Sequence, residues 1–277
     1  MIIDCLNYVK NKKGDIKESI LGLGKVPSLV VIQIGDNSSS NSYIKGKKKD
    51  CEEVGIKFTL LKYEETITNN RLRNIIVNLN LNDDVDGIIV QLPVPEHINI
   101  KEIQQTIDPL KDVDGFNPVS CFQPCTPLGI INYLKDNNYE FCGKSAAVIG
   151  RSNIVGRPLA KMLTDLDVTV TLCHSKTTPG ILFRTMKNAD IIFTCIDKIG
   201  YYGNEYRELL CDKDIIDIGL GRDKDGKLCG NINKEMANDI KKYNNTGHII
   251  ISGIGGVGLL TRLSLLQNTV LAAKLSQ

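Results

Sequence analysis

The sequence has 277 residues, of which 42% are hydrophobic, 24% charged and 5% aromatic, a composition typical of globular proteins rather than disordered, fibrous or membrane chains. Its length fits either two compact domains or one large α/β unit. The 34 basic and 32 acidic residues leave a net charge of +2, which is too small to attract nucleic acid or an anionic membrane to the whole surface.

The absence of membrane-spanning and secretory patterns predicts a cytoplasmic protein. No apolar run approaches the roughly 18 residues needed to span a bilayer, and the first residues lack the order of a secretory signal. The nine cysteines form no CxxC pair, so we expect free, mostly buried thiols. The three histidines lie far apart in the sequence, and we expect no structural metal.

Apolar runs of four to eight residues, rich in Val and Ile, alternate with longer stretches of helical periodicity. This alternation is typical of βαβ units with buried parallel strands and predicts an α/β fold. Eight strands are predicted, at Leu29–Ile34, Phe58–Tyr63, Gly87–Leu92, Ala146–Ile149, Val168–Cys173, Asp190–Ile196, Ile215–Ile218 and His248–Ile251.

Helices are predicted over most of the gaps, among them Ser40–Gly55, Pro127–Asp136 and an amphipathic C-terminal segment, Leu259–Leu275. The last has no strand after it, so it has to dock elsewhere, for example on the first domain. Between the predicted halves, Asp108–Thr126 contains three prolines and little periodicity. We interpret it as an ordered, site-bearing loop and a domain junction, with the boundary near Phe122.

A tyrosine and a lysine lie four residues apart in the first predicted long helix. Tyr43 and Lys47 therefore project from one helical face. There the ring could hold a flat ligand while the partly desolvated lysine exchanges a proton. The alternative is a solvated basic face, since lysines also occupy positions 45, 48 and 49.

Two further loops strengthen the first interpretation. Gln91 lies at the carboxyl end of an apolar strand, where open α/β sheets bind ligands. Asp112 and Asp114 lie in the junction loop, although Asx turns would also explain them. Taken together, these residues predict a cleft between the domains.

A strand that leads into a glycine loop and then a helix lies at Val148–Pro158. This arrangement directs backbone N–H groups and the positive end of a helix at a phosphate. Gly150 permits a tight turn, Gly156 permits close approach to the backbone, and Pro158 is tolerated in a first helical turn. An ordinary strand-to-helix turn is the alternative, because the spacing differs from GxGxxG.

A literal GxGxxG spacing occurs at Gly253–Gly258. Only about twenty residues follow it, too few for the βαβ unit and acidic residue of a dinucleotide fingerprint. We therefore interpret these glycines as a place where a ligand or another chain segment comes close to the backbone.

The strand after the Val148–Pro158 loop ends in Cys173–Thr177, the position that faces the adenosine ribose in a doubly wound sheet. An acidic residue there prefers NAD, whereas basic and hydroxyl groups accommodate a 2′-phosphate. Arg151, Ser175 and Lys176 are of the second kind. The sequence therefore predicts NADP, with solvated loop residues as the alternative.

Six segments, in order, resemble the signature segments of the bifunctional methylenetetrahydrofolate dehydrogenase/cyclohydrolase family: YIKGKKKDCEEVGI, DGIIVQLPVP, PLKDVDGF, PCTPLG, GRSNIVGRP and TLCHSKT. The resemblance implies two α/β domains flanking a cleft, the second a Rossmann-like doubly wound parallel sheet. It places a folate-binding catalytic domain at residues 1–121 plus 255–277 and an NADP-binding domain at residues 122–254. It also implies a homodimer.

The implied activity is oxidation of 5,10-methylenetetrahydrofolate by NADP, followed by hydrolysis of the methenyl product to 10-formyltetrahydrofolate. The resemblance implies that Lys47 transfers protons around N10 and the one-carbon bridge, that Tyr43 stacks on the pterin, that Gln91 orients the lysine and that Asp114 anchors the pterin. The other implied substrate-binding residues are Val90, Leu92, Gly255, Gly256, Val257 and Gly258. The implied cofactor-binding residues are Gly150, Arg151, Ser152, Ser175 and Leu220.

Five positions depart from the usual family pattern. Ile254 and Leu259 replace prolines, Asp197 replaces a glycine, Asn231 replaces an aspartate and Gly221 replaces a polar residue. Because these changes lie in the cofactor half, the sequence supports the cyclohydrolase more strongly than the dehydrogenase. The alternatives are a cyclohydrolase with weak or absent dehydrogenase activity and a non-catalytic folate- or nucleotide-binding protein.

Overall fold

The computed structural model describes residues 5–211, 213–223, 225–243 and 249–277, and the chain divides into two compact units. Val9–Cys125 and Arg262–Gln277 form the first, which we call the three-stranded unit. Thr126–Thr261, with the described part of Met1–Tyr8, forms the second, which we call the five-stranded unit. The prediction of two α/β units is confirmed. No helix in the described ranges is long and apolar enough to cross a membrane.

The elements up to the junction loop alternate between helix and strand. In chain order they are α1 (Cys5–Leu21), β1 (Ser28–Ile34), α2 (Ser38–Val54), β2 (Lys57–Tyr63), α3 (Asn69–Asn80), β3 (Gly87–Val90) and α4 (Ile100–Thr106). The strands form a parallel sheet in the order β2-β1-β3. Every residue of β1 and β3 is buried, as expected for parallel strands covered on both faces.

Helix α2 begins and ends at residues suited to those positions. The side chain of Asn37 accepts a hydrogen bond from the backbone N–H of Ser40, which satisfies one of the free N–H groups of the first turn. Gly55 ends the helix with a φ of 89°, and its N–H donates to the carbonyl of Cys51. A residue with a side chain is strained in that left-handed conformation. The predicted helix over Ser40–Gly55 is confirmed.

The second half continues the alternation. Its elements are α5 (Cys125–Asp136), β4 (Ser145–Ile149), α6 (Gly156–Thr164), β5 (Thr169–Cys173), α7 (Pro179–Asn188), β6 (Ile191–Thr194), α8 (Arg207–Leu210), β7 (Asp214–Asp217), β8 (Gly221–Arg222), β9 (Leu228–Cys229), α9 (Lys234–Tyr243), β10 (Ile250–Ile251) and α10 (Gly258–Leu275).

Five of these strands form a parallel sheet in the order β10-β7-β6-β4-β5. The chain leaves β4 toward β5 and then returns to β6 on the other side of β4, so the strand order reverses beside β4. Dinucleotides bind at such a reversal in doubly wound folds. The prediction of a Rossmann-like parallel sheet is confirmed.

All eight predicted strands are present: three are one residue longer than predicted, four are one to three residues shorter, and one has the predicted length. His248, at the start of the last predicted strand, lies outside the described residues. The antiparallel pair β8 and β9 was not predicted, because strands of two residues have no periodicity. The nine cysteines all lie in the described ranges; none of them forms a disulfide, and five are buried.

The predicted C-terminal helix is present as α10, but it is not amphipathic. Leu260, Leu263 and Val270 are buried, as expected, and so are the polar residues Ser264 and Asn268. The amide of Asn268 donates to the carbonyls of Val113 and Gln123, at 2.9 and 3.3 Å. The buried Asn268 amide thus finds its partners within the three-stranded unit, whereas the buried Ser264 hydroxyl has no hydrogen-bond partner among the described residues.

Candidate active site

A buried lysine is the centre of a small polar cluster in the three-stranded unit. Lys47 is only 4% exposed, and its ammonium donates to Gln91 Oε1 at 3.1 Å. The same ammonium lies 5.1 Å from the centre of the Tyr43 ring, a cation–π distance. Within the described ranges no carboxylate lies within 4.0 Å of Lys47 Nζ. The structure thus brings together three of the four predicted catalytic residues around a lysine without an anionic partner.

The amide of Gln91 is fixed from its other side. Its Nε2 donates to the carbonyl of Leu92 at 2.8 Å, and the Ser40 hydroxyl donates to the same carbonyl at 3.2 Å. Because the amide nitrogen is occupied there, the amide oxygen faces Lys47. Val90, the residue before Gln91, is the buried last residue of β3. The strand end therefore holds a hydrogen-bond acceptor in a fixed position beside the lysine.

The fourth predicted catalytic residue, Asp114, lies half-buried in the junction loop. It faces Cys125, a buried thiol whose pKa is raised by burial and further by the Asp114 carboxylate, while Lys47 acts in the opposite direction. The charges of Asp114 and Lys47 thus both change the pKa of Cys125. Asp114 and Lys47 therefore belong to one polar cluster. The thiol also lies 3.3 Å from the carbonyl of Val113.

Asp112 is the carboxylate that orders the junction loop. It is 1% exposed and accepts a hydrogen bond from the backbone N–H of Asn117 at 2.8 Å. Burial raises its pKa to about 6, the Asn117 N–H acts to lower it, and the nearby Asp114 charge raises it further. The Asn117 amide then donates to the carbonyl of Ile107 at 2.9 Å. This chain of hydrogen bonds holds the turn that carries Asp114.

We expect Asp112 to make stability depend on pH. Because its pKa is higher in the folded than in the unfolded chain, the folded state binds the proton more tightly. Its contribution is therefore complete below about pH 4 and is lost as the pH rises through about 6. The free energy of unfolding of the wild type, minus that of Asp112→Asn, is expected to fall by about 3 kcal/mol in all between about pH 3 and about pH 7. Urea unfolding at a series of pH values measures the difference; parallel profiles would contradict it.

A cavity of about 900 Å³ lies at the carboxyl ends of β4, β5, β6 and β7 in the five-stranded unit. The predicted cofactor-binding residues that line it are Gly150, Arg151, Ser152, Ser175 and Leu220. Lys176 lies exposed on the turn of Ser175 but is not among the lining residues. The volume is in the range of small-molecule and cofactor sites.

The two glycines of the predicted phosphate loop are required by close packing. Gly150 has a φ of 131°, and a Cβ there would collide with the carbonyl of Cys195. A Cβ on Gly156 would collide with the carbonyl of Gly150. The group that comes close to the Gly156 backbone is therefore the Gly150 carbonyl, at the end of β4. These contacts fix the turn from β4 into α6, which begins beside the cavity residues Ile154 and Val155.

Ser152 has a local role in this turn. Its hydroxyl accepts from the backbone N–H groups of Val155 and Gly156, at 3.2 and 3.4 Å, and its carbonyl accepts from Arg157. On the next strand, the Thr177 hydroxyl accepts from His174 N at 2.9 Å and orders the turn that presents Ser175. Both predicted serines are thus held by their own loops at the cavity.

Gly255, Gly256, Val257 and Gly258 lie in the five-stranded unit, at the turn that leads into α10. Gly255 has a φ of 72°, and a Cβ on Gly256 would lie 3.0 Å from the Ile251 side chain. The segment is followed by a helix and no strand among the described residues. The glycines therefore serve a tight turn, in agreement with our interpretation that the GxGxxG spacing is not a dinucleotide fingerprint.

Several site residues were not predicted. Ser40 binds the Leu92 carbonyl, and Tyr201 and Tyr202 line the cavity after β6. The only sequence signal for the tyrosines is that they follow the carboxyl end of a buried strand. Ser40 offers no signal, because its partner lies 52 residues away.

The cavity has features that suit a dinucleotide. Arg151 supplies a cation, and the loop after β4 leads into a helix N-terminus, the arrangement that binds phosphates. The Tyr202 hydroxyl is buried and lacks a hydrogen-bond partner within the described part of the chain. Buried polar groups are rarely unsatisfied, so this hydroxyl is suited to a bound polar group.

Comparison with known proteins assigns both halves of the chain to one family. Residues 3–114 match the family domain "Tetrahydrofolate dehydrogenase/cyclohydrolase, catalytic domain", and residues 124–277 match the NAD(P)-binding domain of the same family. A relative from Bacillus anthracis, "Bifunctional protein FolD", is 40% identical over 286 residues, covering 99% of this chain and 96% of its own.

Solved structures agree. A bifunctional FolD methylenetetrahydrofolate dehydrogenase/cyclohydrolase from Campylobacter jejuni has a TM-score of 0.91 and 36% identity, covering 100% of this chain and 99% of its own. The Trypanosoma brucei enzyme, complexed with NADP cofactor and inhibitor, has a TM-score of 0.89 and 27% identity over 100% of this chain and 98% of its own. The chain therefore belongs to the tetrahydrofolate dehydrogenase/cyclohydrolase family.

Proposed function

We propose that this protein oxidises 5,10-methylenetetrahydrofolate with NADP to 5,10-methenyltetrahydrofolate and hydrolyses that product to 10-formyltetrahydrofolate. Family membership supports both activities. The observation that carries the proposal is the buried Lys47 ammonium, oriented by a neutral amide and placed beside an aromatic ring. A basic surface patch would instead leave this lysine in water.

Lys47 would hold and move the proton in the hydrolysis. Water adds to the methenyl carbon, the bond from that carbon to N5 breaks, and the formyl group stays on N10. Both protons leave the water oxygen as it becomes the formyl carbonyl; one is delivered to N5 and the other is released to solvent. An amine that has no ion pair among the described residues and is held at a fixed distance by Gln91 is suited to such transfers.

The remaining residues of the cluster would bind and orient the folate. The Tyr43 ring offers a flat surface for the pterin, and the Asp114 carboxylate would accept hydrogen bonds from the pterin N–H groups. Gln91 and the Leu92 carbonyl would complete the polar surroundings of the bridge. Asp112 acts indirectly, because it holds the loop that carries Asp114.

NADP, when bound, would accept the hydride from the methylene carbon. Gly150, Arg151 and Ser152 would hold its pyrophosphate, and Ser175 would contact the 2′-phosphate. The Leu220 backbone would border the nicotinamide. The three-stranded unit would thus carry the folate chemistry and the five-stranded unit the cofactor; the domain boundaries given above stay a prediction. Among the described residues, no group of three or more His, Cys, Asp or Glu could hold a metal ion.

The wider setting is also part of the proposal. We propose a homodimer in the cytoplasm that supplies 10-formyltetrahydrofolate for one-carbon metabolism, including purine biosynthesis. The sequence resemblance supports this setting, and sedimentation of the purified chain tests the dimer.

The test of the proposal follows both products. Purified protein with methylenetetrahydrofolate and NADP is expected to form NADPH, read by its near-ultraviolet absorbance, and 10-formyltetrahydrofolate, read by chromatography. Formation of the formyl product from methenyltetrahydrofolate, with no NADPH in the first assay, would support the cyclohydrolase alternative. Tight folate binding without either product would support the non-catalytic alternative.

A further inference from the structure

A carboxylate lines the cavity at a position where it can act on the cofactor. Asp197 follows β6 and is one of the lining residues, with its side chain exposed. Carboxylates repel phosphate groups, and the pyrophosphate lies at a helix N-terminus in dinucleotide sites. The Asp197 carboxylate is therefore expected to face a part of the dinucleotide other than the pyrophosphate.

Asn231 clamps the backbone on both sides of Asp197. Its Nδ2 donates to the carbonyl of Ile196 at 2.7 Å and to the carbonyl of Lys198 at 2.9 Å, and its Oδ1 accepts from Ile196 N at 3.1 Å. Asn231 is fully buried. An aspartate here would place a carboxylate against two carbonyl oxygens, since it has no donor. The asparagine is thus matched to this loop and holds the Asp197 backbone in place.

No cationic group of the described residues pairs with the Asp197 carboxylate. The neighbouring Lys198 directs its ammonium at the ring of Tyr201, 4.9 Å from its centre. No cationic group in the described ranges lies within 4.0 Å of the Asp197 carboxylate. The charge is therefore available to a molecule in the cavity.

The sheet order decides which half of a dinucleotide meets Asp197. In a doubly wound sheet, the adenosine ribose lies at the end of the strand that follows the glycine loop, which is β5 here. β6 lies on the opposite side of β4. A dinucleotide bound in this way would place its pyrophosphate at the reversal beside β4 and its nicotinamide half toward β6 and β7. Asp197 consequently lies on the nicotinamide side, away from the 2′-phosphate.

We propose that Asp197 makes the cofactor site selective for the oxidised dinucleotide. The nicotinamide ring carries a positive charge in oxidised NADP and none in NADPH, whereas the phosphates are the same in both. A carboxylate on the nicotinamide side thus stabilises the oxidised form more strongly. This selectivity rests on the proposed dinucleotide site, and it favours exchange of NADPH for fresh oxidised cofactor after turnover.

The test measures binding rather than turnover. Dissociation constants of oxidised NADP, NADPH and oxidised NAD are measured by calorimetry for the wild type and for Asp197→Asn. The substitution is expected to reduce the preference for oxidised NADP over NADPH by about fivefold, the size of one solvent-screened charge pair. The preference for NADP over NAD is expected to stay unchanged, because the 2′-phosphate lies on the other side of the sheet.

Two control variants separate charge from other effects. Asp197→Glu keeps the charge and is expected to keep the preference for the oxidised form. Asp225→Asn removes an exposed carboxylate that does not line the cavity and is expected to change nothing. If Asp197→Asn tightens all three dinucleotides equally, Asp197 acts on the phosphates and the inference is wrong. An unchanged preference overturns it as well, whereas failure of the wild type to bind any dinucleotide overturns the proposed function itself.

Discussion

Replacing Lys47 with methionine is expected to lower kcat of the cyclohydrolase by about a thousandfold, within the range that a positioned proton-transfer group contributes. Methionine keeps the apolar stem of the side chain but has no group that can hold a proton. Oxidation of methylenetetrahydrofolate is expected to fall as well, because the same residue is next to the one-carbon bridge in the proposed site. The measurement is kcat for methenyltetrahydrofolate hydrolysis, with NADP affinity as a second readout.

The second readout separates loss of chemistry from loss of folding. Lys47 lies in the three-stranded unit, so NADP affinity of Lys47→Met is expected to equal that of the wild type. Lys48→Met is the matched control: that side chain is 58% exposed and pairs with Glu52 on the same helix, and its loss is expected to leave kcat unchanged. Arginine at position 47 keeps a charge but does not exchange a proton, so Lys47→Arg is expected to be as inactive as Lys47→Met. Activity of Lys47→Met within about tenfold of the wild type would contradict a role in proton transfer.

The parts of the site that the sequence predicts are those determined by local periodicity. Tyr43 and Lys47 share a helical face because they are four residues apart, and Gln91 ends a strand whose apolar run is plain in the sequence. The hydrogen bond that joins Lys47 to Gln91 spans 44 residues, and its existence depends on where α2 packs against β3. The spacing thus predicts which side chains belong to the site, whereas tertiary packing determines the distances between them.

In the five-stranded unit, the role of Asn231 is likewise not predictable from the sequence. In the sequence it is only a departure from the family pattern that weakens the dehydrogenase assignment. In the structure it donates to two carbonyl oxygens that lie 35 and 33 residues away. An aspartate has no donor for these oxygens. Similarly, periodicity does not reveal the partner of the buried Asn268 in α10, because the Val113 carbonyl lies 155 residues away in the sequence.

Replacing Gly156 with alanine is expected to abolish the dehydrogenase and spare the cyclohydrolase. The new Cβ would collide with the carbonyl of Gly150, so the turn from β4 into α6 has to move. That turn would hold the pyrophosphate, and a displacement of about 1 Å costs on the order of a hundredfold in rate. We therefore expect kcat/KM for NADP to fall at least about a hundredfold. Hydrolysis of methenyltetrahydrofolate needs no dinucleotide and is expected to continue at the wild-type rate.

Gly180→Ala is the matched control, because a Cβ at Gly180, in the first turn of α7, meets no atom within 4 Å. Both activities are expected to be unchanged in that variant. Retained cyclohydrolase activity in Gly156→Ala shows that the three-stranded unit is folded, and thermal unfolding monitored by circular dichroism tests the five-stranded unit. A folded Gly156→Ala protein that reduces NADP at the wild-type rate would show that the cofactor does not use the loop between β4 and α6. Unchanged NADP affinity in Lys47→Met, together with weakened NADP affinity in Gly156→Ala, would place the two halves of the reaction on different units of one chain.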